Sequence, residues 1–289
     1  MFPHPFEYVR PASLDEAVDL LKRHGDQARV LAGGQSLIPL MKLRLASPQV
    51  LIDIGHIPAL SFVREDRDSL RIGAMARHRD LEQTPLVRDR YPLLAEAARS
   101  LGDPQVRNLG TVGGALAHAD PAGDWGAAFL AFNTTLTATG PRGSRTLSID
   151  DFFRDTFVTA LDPKEILAEI RIPKASAQTG GAYVKLKRKT GDFATVAVAA
   201  QLGLEAGGAV ANVRIGLAAA GDTPVRARRA EEQLMGRVPD SFALTSAAEL
   251  VAKDVRPTSD LRGGTEYKRA MFEVYARRAL EKALGRARR

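Results

Sequence analysis

Apolar positions along the chain alternate between a helical and a strand period. From Ser13 the spacing is helical, with Ala17, Leu20 and Leu21 on one face. Ser13-Leu14-Asp15-Glu16 has the spacing of a capping box, and Gly25 supplies a stop. Arg29 to Ala32 reads as a short strand. Leu37, Leu40, Met41 and Leu45 return to helical spacing, and Val50 to Ile54 is a compact strand. Together these segments predict a β-α-β-like unit of about fifty residues.

A second unit starts near Ile57. Leu70 to Ala74 reads as a strand, and Arg77–Glu82, Leu93–Leu101 and Asp124–Phe132 as helices. Thr135–Thr139 and Arg145–Ile149 alternate around the turn Gly140-Pro141-Arg142-Gly143, and Ile166–Ile172 alternates up to Pro173. Residues 174–181, small and polar, read as a linker. Beyond it Tyr183–Arg188, Thr195–Glu205 and Ala209–Ala219 are strand-like, with a Gly207-Gly208 turn between the last two. Two or three helices follow, the last from about Thr265 to the end. The class is α+β. Strict βαβαβ alternation is missing, so a doubly wound sheet is not expected.

Composition narrows the chemistry. The 289 residues are 45% apolar and 26% charged, enough for a sizeable core. With no cysteine, disulfides, Cys-ligated zinc and thiolate-ligated iron–sulfur clusters are excluded from this chain. That usage fits the cytoplasm. No basic segment followed by an apolar run opens the chain, and no stretch reaches the length of a membrane span, so neither a secretory signal nor a transmembrane segment is expected. The net charge is +7, and much of the excess lies in Arg286-Ala287-Arg288-Arg289, which reads as a solvated, partly disordered tail. A basic nucleic-acid-binding module is the non-enzyme alternative, but no recognition motif or interleaved aromatic residue supports it.

Two glycine-rich segments carry the candidate chemistry, Ala32-Gly33-Gly34-Gln35-Ser36 and Gly110-Thr111-Val112-Gly113-Gly114. Adjacent glycines can turn several backbone N–H groups to one concave side and bind an anion without a positive side chain. Ser36 is placed to cap the helix that follows. Neither segment has the Rossmann or P-loop spacing. Taken alone, a Gly-Gly pair is more often a turn; two of them suit a clamp on one extended dinucleotide. Replacing Gly33 or Gly113 with a bulky residue is then expected to abolish retention of the dinucleotide while leaving the fold largely intact. His118, Asp120 and Asp124 offer a rival metal site for a metal-dependent hydrolase, against a reading in which Asp124 caps a helix and Asp120-Pro121 makes a turn. His4, His24, His56 and His78 read as surface or turn residues, and Trp125 as packing at a helix start.

The first segment, from Arg29 to Pro39, resembles the first FAD motif of the flavin-binding medium subunits of molybdenum hydroxylases, the group of aerobic carbon monoxide dehydrogenase and bacterial xanthine dehydrogenases. Gly110–Gly114 resembles the second motif, Ala117–Asp124 follows at the family's position, and Lys185–Ala194 resembles its flavin-proximal segment. The likeness runs in order from Phe6-Glu7-Tyr8 to the C-terminal helices.

The resemblance implies a two-lobed FAD-binding domain of the vanillyl-alcohol-oxidase (PCMH) type at 1–175, with lobes of about 1–55 and 56–175. A smaller α+β domain of the carbon monoxide dehydrogenase flavoprotein C-terminal type follows at 178–289. It implies FAD contacts at Ala32, Gly33, Gly34, Gln35, Ser36 and Leu37, and at Gly110, Thr111, Val112, Gly113, Gly114 and Ala115. Asp124, Leu161, Lys185 and Phe193 would lie at or beside the flavin. Relatives often carry tyrosine at position 193; phenylalanine keeps the stacking surface and loses the hydroxyl. The resemblance further implies partners: a small iron–sulfur subunit with 2Fe–2S clusters and a large subunit with a molybdenum cofactor, in a dimer of heterotrimers. It places the complex in the cytoplasm, with a peripheral position at the inner membrane face open to it. Electrons would run from the partner clusters through FAD to an external acceptor. No acid–base residue is assigned.

Overall fold

The computed structural model describes residues 2–176 and 178–289; Met1 and Ala177, the latter inside the expected linker, lie outside the described residues. The first lobe is a parallel sheet of β1 (Glu7–Val9), β2 (Ala28–Leu31) and β3 (Val50–Asp53), in the order β1-β3-β2. Strand β1 was not legible in the apolar pattern, because it is three residues long and mostly exposed. Helix α1 (Leu14–His24) begins where Ser13 Oγ accepts the Glu16 N–H and ends at Gly25, whose φ of 52° suits glycine. It buries Ala17, Val18 and Leu21 against the sheet. Helix α2 (Leu37–Lys42) follows the first glycine segment.

The second lobe is an antiparallel sheet of β4 (Val63–Glu65), β5 (Ser69–Gly73), β6 (Thr135–Gly140), β7 (Gly143–Ser148) and β10 (Ile166–Pro173), ordered β4-β5-β10-β6-β7. A small hairpin, β8 (Phe153–Asp155) and β9 (Val158–Thr159), projects from it. Six helices fill the stretch between β5 and β6. They are α3 (His78–Gln83), α4 (Pro85–Arg90), α5 (Pro92–Ser100), α6 (Pro104–Leu109), α7 (Val112–His118) and α8 (Asp124–Leu130). Three of them start on proline at the first turn, where the missing N–H costs nothing. Helix α7 takes in Val112, Gly113 and Gly114, so most of the second glycine segment is helical.

The C-terminal sheet is a run of antiparallel strands, β11 (Thr179–Leu186), β12 (Val196–Leu204), β13 (Val210–Ala218) and β14 (Val225–Arg226). Its two faces divide by residue size. Val196, Val198, Ala200, Leu202, Ile215 and Leu217 pack on α9 (Arg228–Leu234), α10 (Ser241–Asp254) and α11 (Thr265–Ala287). Ala197, Ala199, Gly216 and Ala218 turn the other way, into the core of the second lobe. Their small size lets α8 approach closely; a Cβ on Gly216 would sit 2.9 Å from the Ala127 carbonyl carbon.

Two further expectations fail. Thr179, Gly180 and Gly181 of the expected linker belong to β11, and Gly180 is glycine because α11 lies against it: a Cβ there would be 2.5 Å from Ala287 N. The basic end is the last turn of α11 and not a free tail. Arg286 donates to the Glu96 carboxylate on α5 at 2.6 Å, and Ala287 is buried. Glu96 also takes Lys282 Nζ at 2.7 Å and the Tyr183 N–H at 2.9 Å. Burial pushes its carboxyl up, but the hydrogen bonds from Arg286, Lys282 and Tyr183 outweigh burial and hold it below the usual range.

Candidate flavin-binding cleft

The two glycine segments meet back to back between the lobes. A Cβ on Gly33 would lie 2.7 Å from Gly110 Cα, so backbone packs on backbone here and only glycine fits. Gly34 adopts φ of 73°, which turns the chain from β2 into α2. Among the described residues, the N–H groups of Gly33, Gly34, Gln35, Ser36 and Leu37 have no protein acceptor. Ser36 stands at the N-cap of α2, but its hydroxyl makes no cap hydrogen bond and stays available. The Gln35 amide turns back onto the Gly33 carbonyl at 3.3 Å. Five adjacent open donors form a nest for an anion.

The second segment disposes its donors differently. Val112 N–H bonds to Ala76 O at 2.9 Å and Gly113 N–H to Ala74 O at 2.8 Å, which ties the start of α7 to the end of β5. Thr111 Oγ1 caps the helix by accepting the Gly114 N–H at 3.2 Å. A Cβ on Gly113 would lie 2.8 Å from Ala74 Cα. A bulky residue at Gly33 or Gly113 therefore collides with backbone, and the expectation that such variants keep the fold is corrected.

A cleft opens in front of the nest. Gln35, Ser36, Ala115, Asp124 and Phe193, all singled out from sequence, line it. Ala32, Gly33, Gly34, Leu37, Gly110, Thr111, Val112, Gly113 and Gly114 lie behind that surface and shape it, while Leu161 packs against the core of the second lobe. Lys185 sits beneath Asp124. Its Nζ is 2.9 Å from Oδ1 and 3.3 Å from the Ser100 carbonyl, and both side chains of the pair are nearly fully buried. Tyr183 also donates to Asp124 Oδ1; burial, then the Asp124 charge, pushes its phenol far up, so it stays a donor. Burial, then the neighbouring Lys185 charge, lowers the Lys187 ammonium, which shares the Ser100 carbonyl.

Phe193 stands half exposed at the mouth, on the turn between β11 and β12. Gly191, with φ of 85°, makes the turn, and Asp192 anchors it by accepting from Arg188 at 3.0 Å and from Arg262 at 3.1 Å. Hydrogen bonds from Arg188 and Arg262 hold that carboxyl below the usual range. The Arg262 guanidinium lies 5.9 Å from the Phe193 ring centre.

The rival metal triad does not assemble. His118 packs tilted against the Phe157 ring, with centroids 5.0 Å apart, Asp120 accepts the Ala122 N–H in a turn, and Asp124 is taken by Lys185 and Tyr183. Among the described residues no three His, Asp or Glu side chains converge. His78 corrects another reading: it is buried, accepts from the Trp125 indole at 2.9 Å, and lines the cleft. Leu101, Gly102 and Val106 line it too and were missed. Gly102-Asp103-Pro104 carried a legible helix-start signal, since Asp103 caps α6 through the Val106 N–H at 2.9 Å, but nothing local tied that helix to the cleft.

An open N–H nest at the junction of two lobes offers an anion site, and its donor set fits a pyrophosphate. Comparison with known proteins gives the class. The FAD binding domain in molybdopterin dehydrogenase matches residues 4–175, and the CO dehydrogenase flavoprotein C-terminal domain matches residues 181–283. The chain is 44% identical to the carbon monoxide dehydrogenase medium chain of Hydrogenophaga pseudoflava, over 99% of each chain. The structure of carbon monoxide dehydrogenase from that organism, in a form lacking the Mo-pyranopterin moiety, superimposes with a TM-score of 0.96 at 46% identity and covers 99% of both chains. Quinoline 2-oxidoreductase from Pseudomonas putida 86 gives 0.92 at 31% identity, again over 99% of both. The chain belongs to the family of FAD-binding subunits of molybdenum hydroxylases. It is an oxidoreductase subunit, its cofactor is FAD, and its fold is the two-lobed FAD domain followed by the smaller α+β domain. No helix among the described residues is long and apolar enough to cross a membrane.

Proposed function

We propose that the chain is the medium subunit of a carbon monoxide dehydrogenase or a close relative, holding FAD between its lobes while partner subunits carry the iron–sulfur clusters and the molybdenum cofactor. The observation that carries the reading is the run of five open N–H groups from Gly33 to Leu37 at the head of the cleft. The identity to carbon monoxide dehydrogenase chains, well above that to the quinoline enzyme, supports the substrate. What the group supplies when bound is redox chemistry, taking electrons from the clusters and delivering them to an external acceptor such as a quinone or NAD. The absence of cysteine requires the clusters to sit on other chains.

The residues divide the remaining task. Gly33 to Leu37 and the free Ser36 hydroxyl receive the pyrophosphate. Ala32 and Gly110 to Ala115 hold the two lobes in register behind it. Asp124 presents a carboxylate to the cleft, fixed by Lys185 and Tyr183. Leu161 backs the wall, and Phe193 covers the mouth and excludes water from one face of the ring. The domains divide at 1–175 and 178–289, with lobes of about 1–55 and 56–175. The assembly is a dimer of heterotrimers with a small iron–sulfur and a large molybdopterin subunit, in the cytoplasm, and a peripheral position at the inner membrane face fits the same assembly. Purification from the native source tests this. A flavin spectrum, two co-purifying subunits with iron and molybdenum, and oxidation of carbon monoxide are expected. A chain isolated alone and colourless, or a complex inert toward carbon monoxide, sinks the corresponding part.

A further inference from the structure

One buried imidazole lining the cleft keeps a nitrogen without a partner among the described residues. His78 opens α3 with its ring turned inward and is 3% exposed. Its Nδ1 accepts the Trp125 Nε1–H at 2.9 Å. An indole nitrogen can only donate, so Nδ1 bears the lone pair and the single proton sits on Nε2. Burial, then the Arg107 charge, pushes the imidazole down to about 3, so the ring is neutral at physiological pH.

Among the described residues, Nε2 finds no protein acceptor, yet the one side-chain polar atom sealed away without a partner is Thr195 Oγ1. Nε2 therefore reaches the cleft that His78 lines together with Gln35, Ser36, Val106 and Trp125. Gly110 leaves room for this ring edge, since a Cβ there would lie 2.7 Å from Nε2. A buried N–H aimed into a ligand cleft and held in one tautomer is a built donor.

We infer that His78 Nε2–H donates a hydrogen bond to an acceptor atom of the FAD held in the cleft, with Trp125 as the positioning residue that fixes the tautomer. The inference rests on the reading of the cleft as the FAD site. It makes His78 a cofactor-binding residue outside both glycine segments.

The test strips flavin from the full chain, in the assembly it forms, and titrates FAD back. His78→Phe is expected to weaken binding by about tenfold or more, and His78→Gln, which can place an amide N–H near the Nε2 position, to stay within about threefold of wild type. Isotope-labelled histidine gives a readout that does not depend on the variants folding. The His78 signal should keep its Nε2-protonated form from about pH 5 to 8 and shift when FAD is added. Trp125→Phe should let the two tautomers mix and lower FAD affinity without touching Nε2. Equal affinity in His78→Phe, or a signal that FAD leaves unmoved, overturns the inference while the wild type still binds FAD. A wild type that takes up no FAD overturns the cleft reading and the inference together.

Discussion

Ala32–Leu37 and Gly110–Ala115 each carry a Gly-Gly pair, each run into a helix, and they touch, yet they use their backbone in opposite ways. In the first, five donors find no acceptor among the described residues, and Gln35 and Ser36 line the cleft. In the second, Val112 and Gly113 give their donors to the end of β5, and Thr111 closes the helix cap. Glycine serves close approach in both, at Gly33 against Gly110 and at Gly113 against Ala74. The difference teaches that a glycine pair does not announce its purpose. Tracing where each N–H goes does, because a backbone donor shielded from water must find an acceptor.

The comparison can be broken by substitutions that separate packing from binding. The largest effect belongs to packing: Gly113→Val should cost about 4 kcal/mol or more in urea unfolding, or abolish soluble expression, because the clash is with backbone. A variant of normal stability that lacks only flavin would restore the symmetric clamp. Next comes the wall the two segments support. Asp124→Asn leaves the buried Lys185 without its counter-charge and should lower stability by about 3 kcal/mol. A change below about 1 kcal/mol in the same assay would place that pair in water.

Ser36→Ala comes third. It should weaken FAD binding by about 1.5 kcal/mol, roughly tenfold, and leave the flavin-free melting temperature unchanged, since the hydroxyl has no partner among the described residues. Thr111→Ala is its mirror and the smallest. It should cost about 1 kcal/mol of stability through the lost cap, with FAD affinity per folded molecule retained. If the two alanine variants exchange these signatures, the assignment of the segments is reversed.

The contrast marks where sequence stops being readable. Helices with side-chain caps, such as α1 behind Ser13, and strands with clean alternation, such as β6, were legible because their signals are local. Strand β1 and helices α4 and α6 were too short to show a period. The glycine segments were legible as motifs, but Gly113 in a helix was not, since its reason is Ala74, thirty-nine positions earlier. His78 and Trp125 carried no pattern because their meaning is a contact across forty-seven residues. Arg286 looked solvated for the same reason: its acceptor is Glu96, 190 positions away.

That last contact has a consequence for how the protein is made. Strands β11 and β12, which hold the Phe193 turn over the cleft, lie under α11, and Lys282 and Arg286 of α11 pair with Glu96 on α5. During synthesis the N-terminal portion leaves the ribosome first and can begin to fold. The mouth of the cleft takes shape later, because Asp192, beside Phe193, is held by Arg262, 70 positions further on. The flavin site is thus a late product of folding: its nest lies at Gly33–Leu37, while the contact that sets the Phe193 turn comes from the C-terminal domain.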